Sequence, residues 1–187
     1  DIEFDCRIPF HDRASVDNIS TVITILLYLN MDKERIIEGV SKLQPVAMRM
    51  EQKEGINSCL LLEDFYNSDP GSLRIAMDYF KGITSKEMTV ILSDFVQSSN
   101  NREKLYKAVA EDMKKTGVRK LIGIGRDLSR FSEYFIMPEK EFYVDTDAFI
   151  SSFNASSFRH EAVLLKGARA FEFERIGRLL ELKTHLT

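Results

Sequence analysis

Cysteine is scarce in this 187-residue chain. Cys6 and Cys59 are the only two, far apart and outside any metal-ligand spacing, which argues against a disulfide framework or a zinc site. Long hydrophobic runs are missing as well. The longest, Ile23 to Leu29, is far short of the roughly 20 residues that cross a bilayer, and no basic-then-apolar leader opens the sequence. A cytoplasmic location is therefore expected, with no membrane partner. Nor is there an excess of one charge. Charged residues make up 29% of the chain with a formal net charge of −3, and they are mixed in sign, so no basic stripe suited to a phosphate backbone stands out. Nucleic acid is not an expected partner. Internal repeats, low-complexity stretches and heptads are absent, and the phosphate-cradling pattern G-x-x-x-x-G-K-[ST] does not occur. His160 and His185 have no partner constellation for nucleophilic catalysis.

What is present suits one domain with an appendage: 44% of the residues are apolar, enough for a core. The appendage is residues 1–45. Ile2, Phe4, Cys6 and Ile8 alternate with Glu3, Asp5 and Arg7 as in a half-buried strand, and a chain opening inside a strand at Asp1 is expected to be a piece of a longer protein. Ser15 is placed to cap a helix running to about Leu29, with Val16, Ile19, Val22, Ile23 and Leu26 on one face. A second helix is expected from about Asp32 to Leu43, with Ile36, Ile37, Val40 and Leu43 apolar.

From residue 46 to 187 strands alternate with helices. Strands are expected at Arg49 to Lys53, Cys59 to Phe65, Met88 to Leu92, Lys120 to Ile124 and Ala162 to Leu165. Helices are expected at Pro70 to Phe80, Arg102 to Thr116, near Leu128 and Phe149, and from Phe171 to about Leu182. Near-continuous apolar runs such as Thr89-Val90-Ile91-Leu92 suit strands buried on both faces. The fold class is therefore α/β, with a doubly wound, mainly parallel, Rossmann-like sheet, and ligands are expected beyond the carboxyl ends of its strands.

Three strand ends carry candidate chemistry. Asp64 closes a buried strand, where a carboxylate can accept hydrogen bonds from ligand hydroxyls such as those of a ribose. Just after it, Asp69, Pro70 and Ser72 have the positions of an N-cap, a first helical residue and its N3 partner, which accounts for them without function. Asp94 follows the second buried strand and could orient a cation, with helix capping an equally good explanation. Lys166-Gly167-Ala168-Arg169 sets two cations around a glycine at a strand-to-helix turn, an anion site or else a solvated basic turn. Arg49 suits phosphate chemically, against the plain alternative of a surface pair with Glu51 or Glu54. Gly123-Ile124-Gly125-Arg126-Asp127 lacks the third glycine of a dinucleotide loop and is read as a turn.

Several of these segments resemble the Mur ligase family. Glu63, Asp64, Tyr66, Asn67, Pro70 and Ser72 fall into register with the pattern D-D-S-Y-N-A-N-P-x-S-M of the branch that adds D-alanyl-D-alanine, with Glu63, Phe65, Ser68, Asp69 and Leu73 as departures. Pro45-Val46-Ala47-Met48-Arg49-Met50-Glu51 is similar to P-V-x-G-R-L-E. Leu92-Ser93-Asp94-Phe95-Val96-Gln97-Ser98 is similar to L-G-D-M-L-E-L, and Lys166 to Arg169 to K-G-S-R. Ala14-Ser15-Val16-Asp17-Asn18 stands where the family has H-N-V-x-N, with only Val16 and Asn18 matching.

The resemblance implies an ATP-dependent amide ligase. The carboxyl end of a UDP-MurNAc-tripeptide is phosphorylated and the amine of D-Ala-D-Ala attacks the acyl phosphate, with Mg²⁺ and a P-loop supplied by parts of the enzyme outside this chain. Residues 1–45 would be the end of the family's central domain and 46–187 its C-terminal domain. Arg49, Asp64 and Asn18 would meet the nucleotide; Lys166, Arg169, Asp94 and Asn67 would meet the substrate, Arg169 taking the dipeptide carboxylate. No catalytic or metal-ligating residue is assigned. Phe171 to His185 resembles the junction to a downstream alanine racemase. The chain is expected to be inactive alone, acting as a lid on the missing domains. A different class stays open, a stand-alone flavodoxin-like module binding an anionic metabolite.

Overall fold

Two compact units, Asp1–Ala47 and Met48–Thr187, make up the chain. The structure, a computed structural model, describes residues 4–10, 13–44, 49–96 and 101–182.

In the first unit α1 (Arg13–Tyr28) and α2 (Lys33–Ser41) follow the helical periodicity of the sequence. Asp32 caps α2, its carboxylate accepting the Glu34 amide at 2.9 Å. Ile19, Ile36 and Val40 are buried, with Phe4, Cys6, Ile8 and Phe10 packed against them. The expected opening strand is not there: residues 4–10 carry no strand. The alternation is real, since Phe4, Cys6 and Ile8 are half-buried while Asp5 and Arg7 are exposed. A strand also needs a hydrogen-bonding neighbour, and none stands beside it among the described residues of this unit. Two helical details also differ. Ser15 lies inside α1 rather than capping it, and Val22 is turned outward.

The second unit is one sheet. Its strands are β1 (Glu51–Glu54), β2 (Leu60–Asp64), β3 (Met88–Ser93), β4 (Lys120–Ile124), β5 (Glu139–Tyr143) and β6 (Ala162–Lys166), in spatial order β1-β2-β6-β3-β4-β5. The β1–β2 pair is antiparallel and the other four are parallel. Period-two alternation sends successive side chains to opposite faces, and both faces are covered. Leu62, Val90, Leu92, Leu121 and Leu164 join α3 (Pro70–Ile83) and α4 (Arg102–Thr116) in one core. Leu61, Ile91, Ile122, Ile124, Val163 and Leu165 pack on the other side with residues of α6 (Thr146–Ser152) and α7 (Glu174–Leu180). The short α5 (Arg126–Arg130) follows β4.

The sequence misses β5, and the reason is its place at the sheet edge. Glu139, Lys140 and Glu141 are exposed, the charged composition that discourages edge-to-edge pairing and also hides the strand from a hydrophobic pattern. The last helix, expected from Phe171, starts at Glu174 after a 3-10 turn over Arg169–Phe171.

β6, the last strand in sequence, sits between β2 and β3. Its insertion brings the carboxyl ends of three strands side by side, with Asp64 beside Lys166 and Ser93 one residue past the partner of Lys166.

Candidate functional site

Asp64 and Lys166 end adjacent parallel strands as register partners. The Lys166 ammonium donates to Asp64 Oδ2 at 2.7 Å and to the Asn67 carbonyl at 2.8 Å. Its side chain is 2% exposed and that of Asp64 13%. Lys166 is therefore an internal tie between β6 and the turn after β2. Among the described residues Asp64 Oδ1 accepts no hydrogen bond, which leaves one carboxylate oxygen for a hydroxyl donor from outside.

The turn that follows is held from below and from its far end. Asp69 caps α3 by accepting the Ser72 amide at 2.9 Å, and Ser72 Oγ accepts the Asp69 amide at 3.3 Å, a capping box with Pro70 in the first turn. Burial pushes the Asp69 carboxyl up, but the hydrogen bonds from Ser72 and the charge of Lys166 outweigh it and hold it below the usual carboxylate range. Ser68 Oγ is buried without a partner among the described residues. Asn67 is exposed, its side-chain oxygen folded back onto the Ser68 amide.

Above this base lies an aromatic ring with two cations. The Arg49 guanidinium is 4.4 Å from the centroid of Tyr66 and that of Arg169 is 5.9 Å from the same centroid. Both arginines are exposed. The site thus gathers Arg49, Asp64, Tyr66, Asn67, Lys166 and Arg169 from three separate stretches. Sequence reasoning passed over Tyr66 as a site residue, although it sits in the motif two positions after Asp64.

The Lys166–Arg169 turn is locked where glycine and serine are required. A Cβ on Gly167 would stand 2.6 Å from the Phe173 ring. The Ala168 amide donates to Ser93 Oγ at 2.8 Å, and Ser93 donates onward to the Asp94 carbonyl. Ser93 ties the ends of β3 and β6 together.

Asp94 is turned inward. Its oxygens accept the Asp127 amide at 2.9 Å, the Leu128 amide at 2.8 Å and the Tyr106 hydroxyl at 3.1 Å. Capping of α5 therefore accounts for Asp94. Burial raises its carboxyl despite those three donors. Gly125 sits at φ 142° directly against it, and a Cβ there would overlap the carboxylate. The turn around Gly123 and Gly125 thus carries its own side-chain anion at the helix start. Asn18 lies exposed on α1 in the first unit. Pro45 to Met48, Gln97 and Ser98, and Thr184 and His185 fall outside the described residues.

Glu63, one residue before Asp64, faces the opposite side of the sheet. It is buried, one oxygen accepting Lys53 at 2.8 Å and the other without a partner among the described residues. Burial drives its carboxyl above the usual range, with Lys53 opposing. Among the described residues no group of three or more His, Cys, Asp or Glu is arranged to hold a metal, and no helix is long and apolar enough to cross a membrane.

No family model matches the chain. Curated relatives do. The UDP-N-acetylmuramoyl-tripeptide--D-alanyl-D-alanine ligase of Rickettsia prowazekii is 23% identical over 177 residues, covering 92% of this chain and 38% of that protein. Its Escherichia coli counterpart is 21% identical over 179 residues, covering 95% of the chain and 39% of that protein. The chain spans about two-fifths of the length of these relatives. Among solved structures, MurF from Acinetobacter baumannii superposes with a TM-score of 0.74 at 18% identity, covering 93% of this chain and 39% of that one. MurF from Thermotoga maritima, solved with ADP, superposes at 0.65 and 15% identity, covering 91% and 38%. The chain is thus similar to these ligases along more than nine-tenths of its length and shares the fold of the matched two-fifths of the MurF structures.

Proposed function

We propose that the chain is the closing part of an ATP-dependent ligase that adds D-Ala-D-Ala to a UDP-MurNAc-tripeptide in the cytoplasm. The observation that carries this is the convergence of the Mur-like motif residues Arg49, Asp64, Asn67, Lys166 and Arg169 at the carboxyl ends of β2 and β6. Doubly wound sheets bind ligands at such strand ends, where the chain order reverses. In this reading the free oxygen of Asp64 accepts a ribose hydroxyl and Arg49 meets a nucleotide phosphate. Arg169 takes the dipeptide carboxylate, with Lys166 beneath as the group that holds Asp64 and the Asn67 turn in place. ATP, when bound, supplies the phosphoryl group that activates the peptide carboxyl. The P-loop and the residues that hold Mg²⁺ are assigned to the rest of the enzyme.

The first unit supports the same reading as the end of a larger central domain. α1 and the turn after it leave Val22, Ile25 and Leu29 between half and two-thirds exposed, an apolar surface that more of that domain would cover. Asn18, on the same helix, is then a nucleotide contact, and a racemase domain following the chain belongs to this reading as well. The test is phosphate release with ATP, D-Ala-D-Ala and the tripeptide substrate. The full-length parent is expected to turn over and the 187-residue chain to stay at background. Turnover by the chain alone, or a parent without a P-loop domain upstream, overturns the reading and favours a stand-alone anion-binding module.

A further inference from the structure

The two arginines on the Tyr66 ring come from opposite ends of the second unit, Arg49 before β1 and Arg169 after β6. Like charges repel, so bringing both to one ring needs a compensating attraction, and the negative face of the aromatic ring supplies it. Carboxylates do not. Among the described residues none pairs with Arg49 or Arg169, and the nearby acids have other partners: Asp64 is held by Lys166, Asp69 by the Ser72 amide, and Glu51 lies 3.7 Å from Lys53. Two forked donors therefore stay unspent at one exposed spot, beside a ring that is 42% exposed.

We propose that Arg49, Tyr66 and Arg169 form a single anion clamp, in which the ring of Tyr66 positions both guanidinium groups to share the oxygens of one phosphate or carboxylate group. Tyr66 is a positioning residue, and it acts through its ring rather than its hydroxyl. The clamp rests on the geometry, and only the source of its anion rests on the ligase reading. A nucleotide phosphate and a peptide carboxylate share the required chemistry, and the clamp replaces the separate assignment of Arg49 to the one and Arg169 to the other with a single shared anion.

The experiment titrates the 187-residue chain with inorganic pyrophosphate and, separately, with D-Ala-D-Ala, following the arginine side-chain NMR signals. Saturable binding of at least one probe is expected, weakened about fivefold by Arg49→Gln and by Arg169→Gln on that same probe, and by less than the product in the double variant. Tyr66→Phe should bind within about twofold of the parent and Tyr66→Leu should lose about fivefold. A circular-dichroism melt checks that each variant is folded. If Tyr66→Leu is not, the pair Tyr66→Trp and Tyr66→Gln repeats the comparison. Preferential binding of pyrophosphate assigns the clamp to phosphate, and of D-Ala-D-Ala to carboxylate. No binding of either probe, unchanged binding by the ring-less variant, or an Arg49 effect confined to one probe with an Arg169 effect confined to the other overturns the proposal. Loss of ligase activity in the parent's assay would sink the functional reading while leaving this binding result standing.

Discussion

Lys166 and Asp64 are neighbours across parallel strands, and the 2.7 Å bond between them is almost sealed from water. Removing one partner of such a pair strands the other charge, which costs about 3–5 kcal/mol, whereas replacing both with apolar groups of similar size is often nearly neutral. Lys166→Met is therefore expected to lose stability in that range by urea unfolding, and the double variant Asp64→Leu/Lys166→Met to recover most of it. Equal loss in the single and double variants would show that the pair is not what the lysine contributes.

Binding and stability need separating at Asp64 for the same reason. Asp64→Asn keeps the shape and can still accept from Lys166, so in the full-length parent it is the better probe than alanine. We expect Asp64→Asn to raise KM for ATP, and Arg49→Gln and Arg169→Gln to raise KM together for the same one of the two ligands, ATP or D-Ala-D-Ala, each by about tenfold for a lost charge-assisted hydrogen bond. Unchanged steady-state kinetics in all three would remove the ligand assignments and leave the fold.

The capping box at α3 gives a smaller, local effect. Asp69→Ala removes the acceptor of the Ser72 amide and should cost about 1 kcal/mol, read as a lower urea midpoint with an unchanged slope.

Two glycines at positive φ separate backbone strain from steric overlap. Gly117 ends α4 at φ 85° with open space where a Cβ would stand, so Gly117→Ala should cost only the left-handed backbone penalty of about 1 kcal/mol. Gly125 has the same sign of φ, and a Cβ there would also overlap the Asp94 carboxylate. Gly125→Ala should cost at least about 2 kcal/mol more than Gly117→Ala, because it dislodges the cap of α5. Equal melting shifts for the two variants would contradict the overlap.

Glu63 gives the fold a pH signature. Burial raises its carboxyl pKa in the folded state, so its contribution to stability is complete below the ordinary carboxylate range, near 4.5, and is lost as pH rises through the raised value. Glu63→Gln deletes that titration. The stability of the variant relative to the parent should therefore become more favourable between pH 4 and pH 7 in paired urea melts. A difference that does not change with pH would mean that the buried carboxyl is not shifted.

Much of the second unit is legible because its signals are strong and local. The boundaries of α4 and β4 follow directly from apolar periodicity, and the Asp69-Pro70-Ser72 cap is written in adjacent residues. Where the signal depends on a neighbour, it fails. Alternation at Phe4, Cys6 and Ile8 marks burial but cannot say whether a second strand stands alongside. The charged edge strand Glu139–Tyr143 has no apolar pattern to read. The site is similar. Arg49, Asp64, Lys166 and Arg169 could be picked out one by one through family resemblance. That Lys166 turns inward to Asp64, that Asp94 is spent on α5, and that Tyr66 collects both arginines are facts of packing between segments that are separate in sequence, and they emerge only from the folded sheet.

The position of β6 has a consequence for how the polypeptide is made. Translation proceeds from the amino end, so β2 and β3 leave the ribosome with no strand between them, and their facing edges wait for residues 162–166. Until those residues emerge, two apolar strands offer open hydrogen-bonding edges to any passing chain. A nascent chain stalled before residue 162 is the species most in need of a chaperone, and the strand that completes the sheet delivers Lys166 and Arg169 to the site at the same moment.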